Sequence, residues 1–107
     1  MTYCIILTTC PNNEEAKTLA LKIVEEKLAA CVQLSAITSY YRWKGKTYQE
    51  PEIRLLIKTK AGLYKKVEEF IRRHHSYEVP EIVQIPVANG SDAYLGWVDE
   101  NTTDSIP

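Results

Sequence analysis

The side chains best suited to chemistry are two adjacent histidines, His74 and His75, the only histidines in the chain. Neutral imidazole is a common ligand of copper and zinc. Neighbouring residues on a helix point about 100° apart, so both rings rarely reach one ion within one chain. The structural alternative is that His74 completes an apolar helix stripe and His75 caps the helix end. A metal site at this pair therefore needs a further ligand or a second subunit.

Three cysteines, Cys4, Cys10 and Cys31, are an odd number at irregular spacings, which argues against a disulfide framework. We interpret them as reduced thiols of a cytoplasmic protein. No CxxC pair is present, so there is no local zinc motif. A cysteine-dependent enzyme would need a thiol activated by a base, and no local pattern brings Cys10 or Cys31 to a histidine. We therefore expect a protein that is not an enzyme.

Size and charge limit the classes of protein and partner. The 107 residues suit one domain, which we place at residues 1–100, with a polar tail at 101–107 that we expect to be frayed. The net charge of −1, without a basic block, argues against nucleic acid or an anionic membrane as a partner. No secretory signal is evident, and no apolar run approaches the roughly 18–20 residues that span a bilayer.

The spacing of apolar residues predicts the element order β-α-β-β-α-β, followed by a short helix. We predict strands over residues 3–9, 30–43, 47–59 and 80–87, and helices over residues 13–28, 61–75 and from 92 onward. The first strand reads as buried on both faces, and the last as an edge strand because it contains Pro86. Asn12 or Asn13 caps the first helix, and Ser91 caps the last. This order predicts an α+β, ferredoxin-like fold with an antiparallel four-stranded sheet and two helices on one face.

The hairpin formed by the second and third predicted strands is too long to be covered by its own domain. Strands of about 13–14 residues extend roughly 45 Å, whereas a compact domain of this length is about 35 Å across. The far half contains Tyr40, Tyr41, Trp43 and Tyr48, which form a large apolar surface that needs cover. We therefore expect this half to pair with a neighbouring subunit in an oligomer.

Two positions predict irregularities in the hairpin. The apolar residues change phase after Leu34, which predicts a bulge or bend near Ala36. Pro51 lacks a donor and must lie at a bulge or at an unpaired edge. Lys44 and Gly45 form the predicted tip. The alternative to an oligomer is a hairpin that breaks at Ala36 and Pro51 and folds back over its own sheet.

Five sequence blocks, in order, closely resemble the divalent-cation-tolerance (CutA) family over about residues 3–98. These blocks are Leu28-Ala29-Ala30-Cys31-Val32, Tyr41-Arg42-Trp43-Lys44-Gly45-Lys46, Ile57-Lys58-Thr59, His75-Ser76-Tyr77-Glu78-Val79-Pro80-Glu81-Ile82 and Asp92-Ala93-Tyr94-Leu95-Gly96-Trp97. The resemblance implies a ferredoxin-like fold with a long bent hairpin, and a tight homotrimer arranged like the PII signalling proteins. It also implies a role in metal tolerance, with copper or another divalent cation as ligand and no required cofactor.

The resemblance further implies a copper site made by the His-His pair and a cysteine of the first strand. Thr8 stands at the position of that cysteine. Cys10 shares the strand face of Thr8 but lies about 6–7 Å further along. The candidate metal ligands are therefore His74, His75 and Cys10, with Cys10 as the available thiol.

A second candidate site combines Trp43, Lys58, Tyr77, Glu78 and Glu81, whose blocks the resemblance places near clefts between subunits. Aromatic rings, a cation and two carboxylates could bind a small polar or anionic effector. The structural alternative is an interfacial network of packing and ion pairs. The sequence thus supports two hypotheses: a homotrimeric divalent-cation-tolerance protein that binds metal weakly, and a PII-like sensing or scaffold module with a ligand in the cleft.

Overall fold

The computed structural model describes residues 1–104 and shows the predicted ferredoxin-like α+β architecture. The elements are β1 (Tyr3–Cys10), α1 (Asn13–Glu25), β2 (Cys31–Trp43), β3 (Lys46–Lys60), α2 (Tyr64–His74), β4 (Val83–Val87) and α3 (Asp92–Glu100). The four strands form one antiparallel sheet in the order β2-β3-β1-β4, so β4 lies at an edge, as Pro86 predicted. A 3-10 turn, Ala61–Leu63, precedes α2.

One face of the sheet packs against α1 and α2 and forms the core. Alternate side chains of β1, including Ile6 and Cys10, point into it and are fully buried. On the opposite face of β1, Ile5 and Leu7 are only partly buried, because both helices lie on the other side. The expectation that β1 is buried on both faces therefore fails. The core includes Cys4, Ile6, Cys10, Ala16, Leu19, Ile23, Leu55, Ile57, Val67 and Ile71.

The first helix begins as its sequence predicts and ends earlier. The Asn12 side chain accepts a hydrogen bond from the backbone N–H of Glu15 at 2.8 Å, which makes Asn12 the N-cap. The helix ends at Glu25 rather than at Leu28, because Lys27 adopts a left-handed conformation with φ of 58°. Leu28 still reaches the core from outside the helix. The apolar residues that pack on the core thus extend to Leu28, beyond the last helical residue, Glu25.

The β2–β3 hairpin keeps one register from Cys31, opposite Lys58, to Trp43, opposite Lys46. The predicted bulge near Ala36 is therefore wrong. The change of phase in the apolar residues has another cause: the outer half of the hairpin presents its apolar side chains on the face away from the helices. The tip is a two-residue turn at Lys44 and Gly45, both with positive φ, as a tight hairpin requires.

Pro51 lies at an unpaired edge, which confirms one of the two predicted placements. Pairing between β1 and β3 ends at Cys10, opposite Ile53, so the β1 side of β3 is free beyond that point. The outer ribbon, residues 37–52, is called the distal arm below. It extends away from the domain, whose principal dimensions are 44 × 25 × 24 Å, so the alternative that it folds back over its own sheet is excluded.

The start of the C-terminal tail packs onto the domain. Thr102 is buried, and its hydroxyl donates to the carbonyl of Val98 at 2.9 Å. The N–H of Thr103 donates to the carbonyl of Lys27 at 2.8 Å. This part of the segment predicted to be frayed is therefore held by α3 and by the residues after α1. Residues 105–107 lie outside the described part of the chain.

Two buried threonines give a paired test of the core. Thr8 has a buried hydroxyl without a hydrogen-bond partner, whereas the hydroxyl of Thr59 donates to the carbonyl of Leu28 at 2.7 Å. We expect Thr8→Val to raise the free energy of unfolding by about 1 kcal/mol, because no hydrogen bond is lost. Thr59→Val should lower it by roughly 1–2 kcal/mol, because it leaves a buried carbonyl unpaired.

Denaturant unfolding of both variants at one protein concentration measures the difference. A loss of stability in Thr8→Val as large as that in Thr59→Val would show that the Thr8 hydroxyl has a partner in solution.

Candidate functional site

Parts of three elements meet at one end of the sheet. They are the last residue of β1, the first turn of α1 and the residue that follows the end of α2. They bring together Cys10, Glu15 and His75, whose ligand atoms all lie within 4.8 Å of one another. Thiol, carboxylate and imidazole are all metal-ligand groups. Two of the three predicted metal ligands are therefore adjacent, and Glu15 joins them.

The His75 ring is held by both of its nitrogens. Its side chain is fully buried, and Nε2 lies 2.6 Å from the carbonyl oxygen of Thr9. Nδ1 accepts a hydrogen bond from the N–H of Tyr77 at 3.0 Å. These partners require a neutral ring with its proton on Nε2. Any metal ion at His75 would have to replace one of these two hydrogen bonds.

Glu15 stands beside the same ring. Its Oε2 atom is 3.6 Å from Nδ1 of His75 and accepts a hydrogen bond from the N–H of Ser76 at 3.2 Å. The side chain is 22% exposed, so solvent reaches the group from this side. Glu15 thus links the start of α1 to the segment that follows α2.

The Cys10 thiol is fully buried, with Sγ 3.9 Å from Nε2 of His75. Burial, together with the negative charges of Glu15 and Glu52, raises the pKa of Cys10 to about 12. Burial also raises the pKa of Cys4 to about 11. Both thiols are protonated at neutral pH, which argues against the activated nucleophile that a cysteine-dependent enzyme requires.

His74 points elsewhere and does not join this group. Its ring is exposed and stacks on Phe70, with the ring centroids 4.2 Å apart. Nδ1–H donates to the Phe70 carbonyl at 2.8 Å. The adjacent histidines therefore face different surroundings. The cause is not helical spacing, because α2 ends at His74 and the backbone of His75 is already extended.

A second feature is a cavity of about 600 Å³ between the distal arm and the segment after α2, called the acidic cavity below. It is lined by Thr9, Ser39, Tyr40, Tyr41, Trp43, Glu52, Ser76, Tyr77, Glu78, Val79 and Glu81. Four residues of the second candidate site, Trp43, Tyr77, Glu78 and Glu81, therefore meet within one chain.

Lys58, the fifth member, is absent from the lining of the acidic cavity. It follows Glu52 by six residues on the same strand, a distance of roughly 20 Å. Its Nζ atom lies 5.5 Å from the ring centroid of Tyr94. Glu52, which was not predicted, joins Glu78 and Glu81 in the lining, and its Oε2 atom accepts a hydrogen bond from the Tyr77 hydroxyl at 2.7 Å. Burial, followed by this hydrogen bond, raises the pKa of the Tyr77 hydroxyl well above its usual value.

Sequence reasoning missed Glu15 and Glu52, although each had a signal. Glu15 lies in the first turn of a helix that starts directly after β1, so it belongs to the same end of the sheet as Cys10. Glu52 pairs with Ile37 across the hairpin, which places it on the face that also presents Tyr41. A prediction of the hairpin without a bulge near Ala36 would have placed Glu52 on this face.

The fold and these residues define a class: ferredoxin-like α+β proteins with a long hairpin arm and a thiol, carboxylate and imidazole gathered at one end of the sheet. Residues 4–101 match the family described as CutA1 divalent ion tolerance protein. The chain therefore belongs to the CutA divalent-cation-tolerance family, which confirms the resemblance seen in its sequence blocks.

Individual relatives agree with this assignment. The divalent-cation tolerance protein CutA of Thermus thermophilus is 44% identical over 99 residues, covering 92% of this chain and 96% of the relative. The human protein CutA is 45% identical over 102 residues and 92% of this chain. The chain spans 57% of the length of that human relative.

Solved structures show the same fold. The CutA1 structure from Oryza sativa has a TM-score of 0.95 at 38% identity, covering 98% of this chain and 97% of that one. The CutA of Archaeoglobus fulgidus, described as a periplasmic divalent cation tolerance protein, has a TM-score of 0.91 at 35% identity, covering 92% and 97%. Within residues 1–104, no helix combines the length and apolar character needed to cross a membrane.

Thiol accessibility tests the account of Cys10. We expect iodoacetamide at pH 8 to leave Cys4 and Cys10 unmodified in the folded protein, because both thiols are buried and protonated. Both should react in denaturant, which is the control. Mass spectrometry of peptides after timed labelling measures the difference. Fast labelling of Cys10 in the folded protein would show a reactive thiol and revive the enzyme hypothesis.

Proposed function

We propose that this chain is a homotrimeric divalent-cation-tolerance protein that responds to metal ions by binding copper or another divalent cation weakly, without catalysing a reaction or requiring a cofactor. The supporting observation is the convergence of Cys10, Glu15 and His75 in a chain of this family. A thiolate and an imidazole favour copper or zinc over the harder cations magnesium and calcium.

Weak binding follows from the state of the donors. The ion must displace the Cys10 proton, whose pKa is about 12, and one hydrogen bond of the His75 ring. Because binding releases a proton, the apparent affinity should rise about tenfold for each pH unit as long as the thiol is otherwise protonated. These costs distinguish a responsive site from a permanently filled structural one.

Metal titration by calorimetry tests the assignment, using Cu²⁺ and the redox-inert Zn²⁺. We expect Cys10→Ser and His75→Gln each to lower the affinity by roughly tenfold or more, because each removes a ligand. The matched control is His74→Gln, which changes the neighbouring histidine outside the group and should retain the affinity. A loss in His74→Gln with none in Cys10→Ser would refute the ligand assignment. Absence of binding by both ions would refute the metal function.

The trimer is supported by surfaces that one chain leaves open. On the sheet face opposite the helices, Val83 and Ile85 are each 46% exposed beside the partly buried Ile5 and Leu7. The distal arm adds exposed aromatic rings to this open surface. Contact with further copies would cover both apolar surfaces. The number three comes from the family resemblance.

Shortening the distal arm tests this proposal. Tyr40 and Gln49 are register partners, so replacing residues 40–49 with Asn-Gly leaves Ser39 opposite Glu50 across a two-residue turn. We expect the shortened chain to lose the trimer, because the contacts supplied by the arm are removed. Analytical ultracentrifugation measures the mass, and circular dichroism confirms the fold. A folded, shortened chain that still sediments as a trimer would contradict the role of the arm.

The compartment is part of the proposal. All three cysteines are free, which supports a reducing location such as the cytoplasm. Relatives have other printed locations, periplasmic in Archaeoglobus fulgidus and chloroplastic in Arabidopsis thaliana. The fold is thus used in several compartments.

A second candidate function is a PII-like sensing or scaffold role, with a small ligand bound in a cleft between subunits. The acidic cavity favours it, since four of the five residues predicted for such a cleft line one space. Its volume of about 600 Å³ is in the range of small-molecule sites.

A further inference from the structure

The charge of the acidic cavity limits what it can bind. Its lining includes Glu52, Glu78 and Glu81, and among the described lining residues there is no lysine, arginine or histidine. Within one chain, an anionic effector would meet three like charges and no counter-charge among these lining residues. A cation would meet complementary charge. The cavity is therefore suited to a positively charged ligand.

A bare metal ion does not fit this cavity. A metal site needs several ligand atoms close together. Within residues 1–104, the only group of three such side chains is Cys10, Glu15 and His75. The three carboxylates of the acidic cavity therefore do not converge on one ion. Separate carboxylates instead suit a ligand whose positive charges are themselves spread along a chain.

The aromatic walls indicate an organic cation. Tyr40, Tyr41, Trp43 and Tyr77 line the cavity beside the carboxylates. Aromatic faces attract ammonium groups, and they also contact the methylene groups between them. The volume of about 600 Å³ exceeds what a single ion needs. We infer that the acidic cavity binds an organic polyamine, which rests on the second candidate function and names the class of its ligand.

Glu52 is the anchor of this site. The Tyr77 hydroxyl donates to one carboxylate oxygen at 2.7 Å, and the N–H of Tyr77 is in turn fixed by His75. The Glu52 carboxylate is partly buried and held in position before a ligand arrives. Its remaining lone pairs can accept N–H donors from an ammonium group. Such preorganisation reduces the entropy lost on binding.

Calorimetric titration of the intact oligomer with spermidine tests the inference. We expect binding to the wild-type protein, and roughly tenfold or greater weakening in Glu52→Gln, because a charged acceptor is lost. The glutamine still accepts from the Tyr77 hydroxyl, so the cavity wall should persist. Glu69→Gln removes the same charge from the exposed face of α2 and should bind as the wild type does. Mg²⁺ at matched ionic strength controls for screening and should give no comparable heat.

The inference is overturned if spermidine does not bind, if Mg²⁺ reproduces its effect, or if Glu52→Gln binds as tightly as the wild type. A neighbouring copy that fills the cavity in the oligomer would produce the first of these results. A parallel titration with succinate, a small dianion, distinguishes failure of the polyamine assignment from failure of the second candidate function. Binding of succinate without spermidine would retain a ligand site but refute the polyamine class, whereas binding of neither would remove the second candidate function too.

Discussion

The structure depends above all on the unbroken antiparallel pairing of β2 with β3. Thirteen residue pairs, from Cys31 with Lys58 to Trp43 with Lys46, keep one register. Because successive side chains on a strand alternate between faces, this register determines the side on which every residue of the hairpin lies. It directs Leu55 and Ile57 into the core beneath the helices. It also places Glu52 on the opposite face, where the acidic cavity forms.

The second constraint is the meeting of chain ends at one end of the sheet. β1 runs antiparallel to both β3 and β4, so the end of β1 lies near the start of β4 and near the base of the distal arm. The segment leading from α2 to β4 must cross this region. His75 holds the crossing in place with one ring nitrogen towards Thr9 and the other towards Tyr77. The same imidazole therefore organises the metal-ligand group and positions a wall of the acidic cavity.

Much of the fold was predictable, because its signals are local. The Asn12 cap, the turn at Lys44 and Gly45, and the edge position of β4 all follow from residues next to one another in the chain. The bulge near Ala36 was wrong for a physical reason. A change of phase shows that apolar residues move to the other face, but it cannot distinguish a bulged strand from a straight one whose outer half needs cover on that face.

The candidate site was predictable only in part, because its decisive contacts join distant residues. His75 and Cys10 were identified from their side-chain chemistry, but their contact spans 65 positions in the chain. For Glu15 and Glu52 the sequence showed only that each has a carboxylate. Their positions beside His75 and Tyr77 depend on the arrangement of the strands and helices. Lys58 has the expected sequence block, but within one chain it lies roughly 20 Å along the strand from Glu52 and does not line the cavity, so its place in a cleft between subunits stays a prediction.

The position of the thiol shows how a small change along a strand moves a potential ligand. Thr8 and Cys10 lie on the same face of β1 and are both fully buried. Thr8 lies two residues inside the sheet, about 6–7 Å from the strand end, where its hydroxyl has no partner. Cys10 is the last residue of β1, level with the point where α2 ends and the His75 ring turns inward. In this chain the thiol beside the imidazole therefore belongs to the end of the core nearest the strand terminus, next to a carboxylate that solvent can reach.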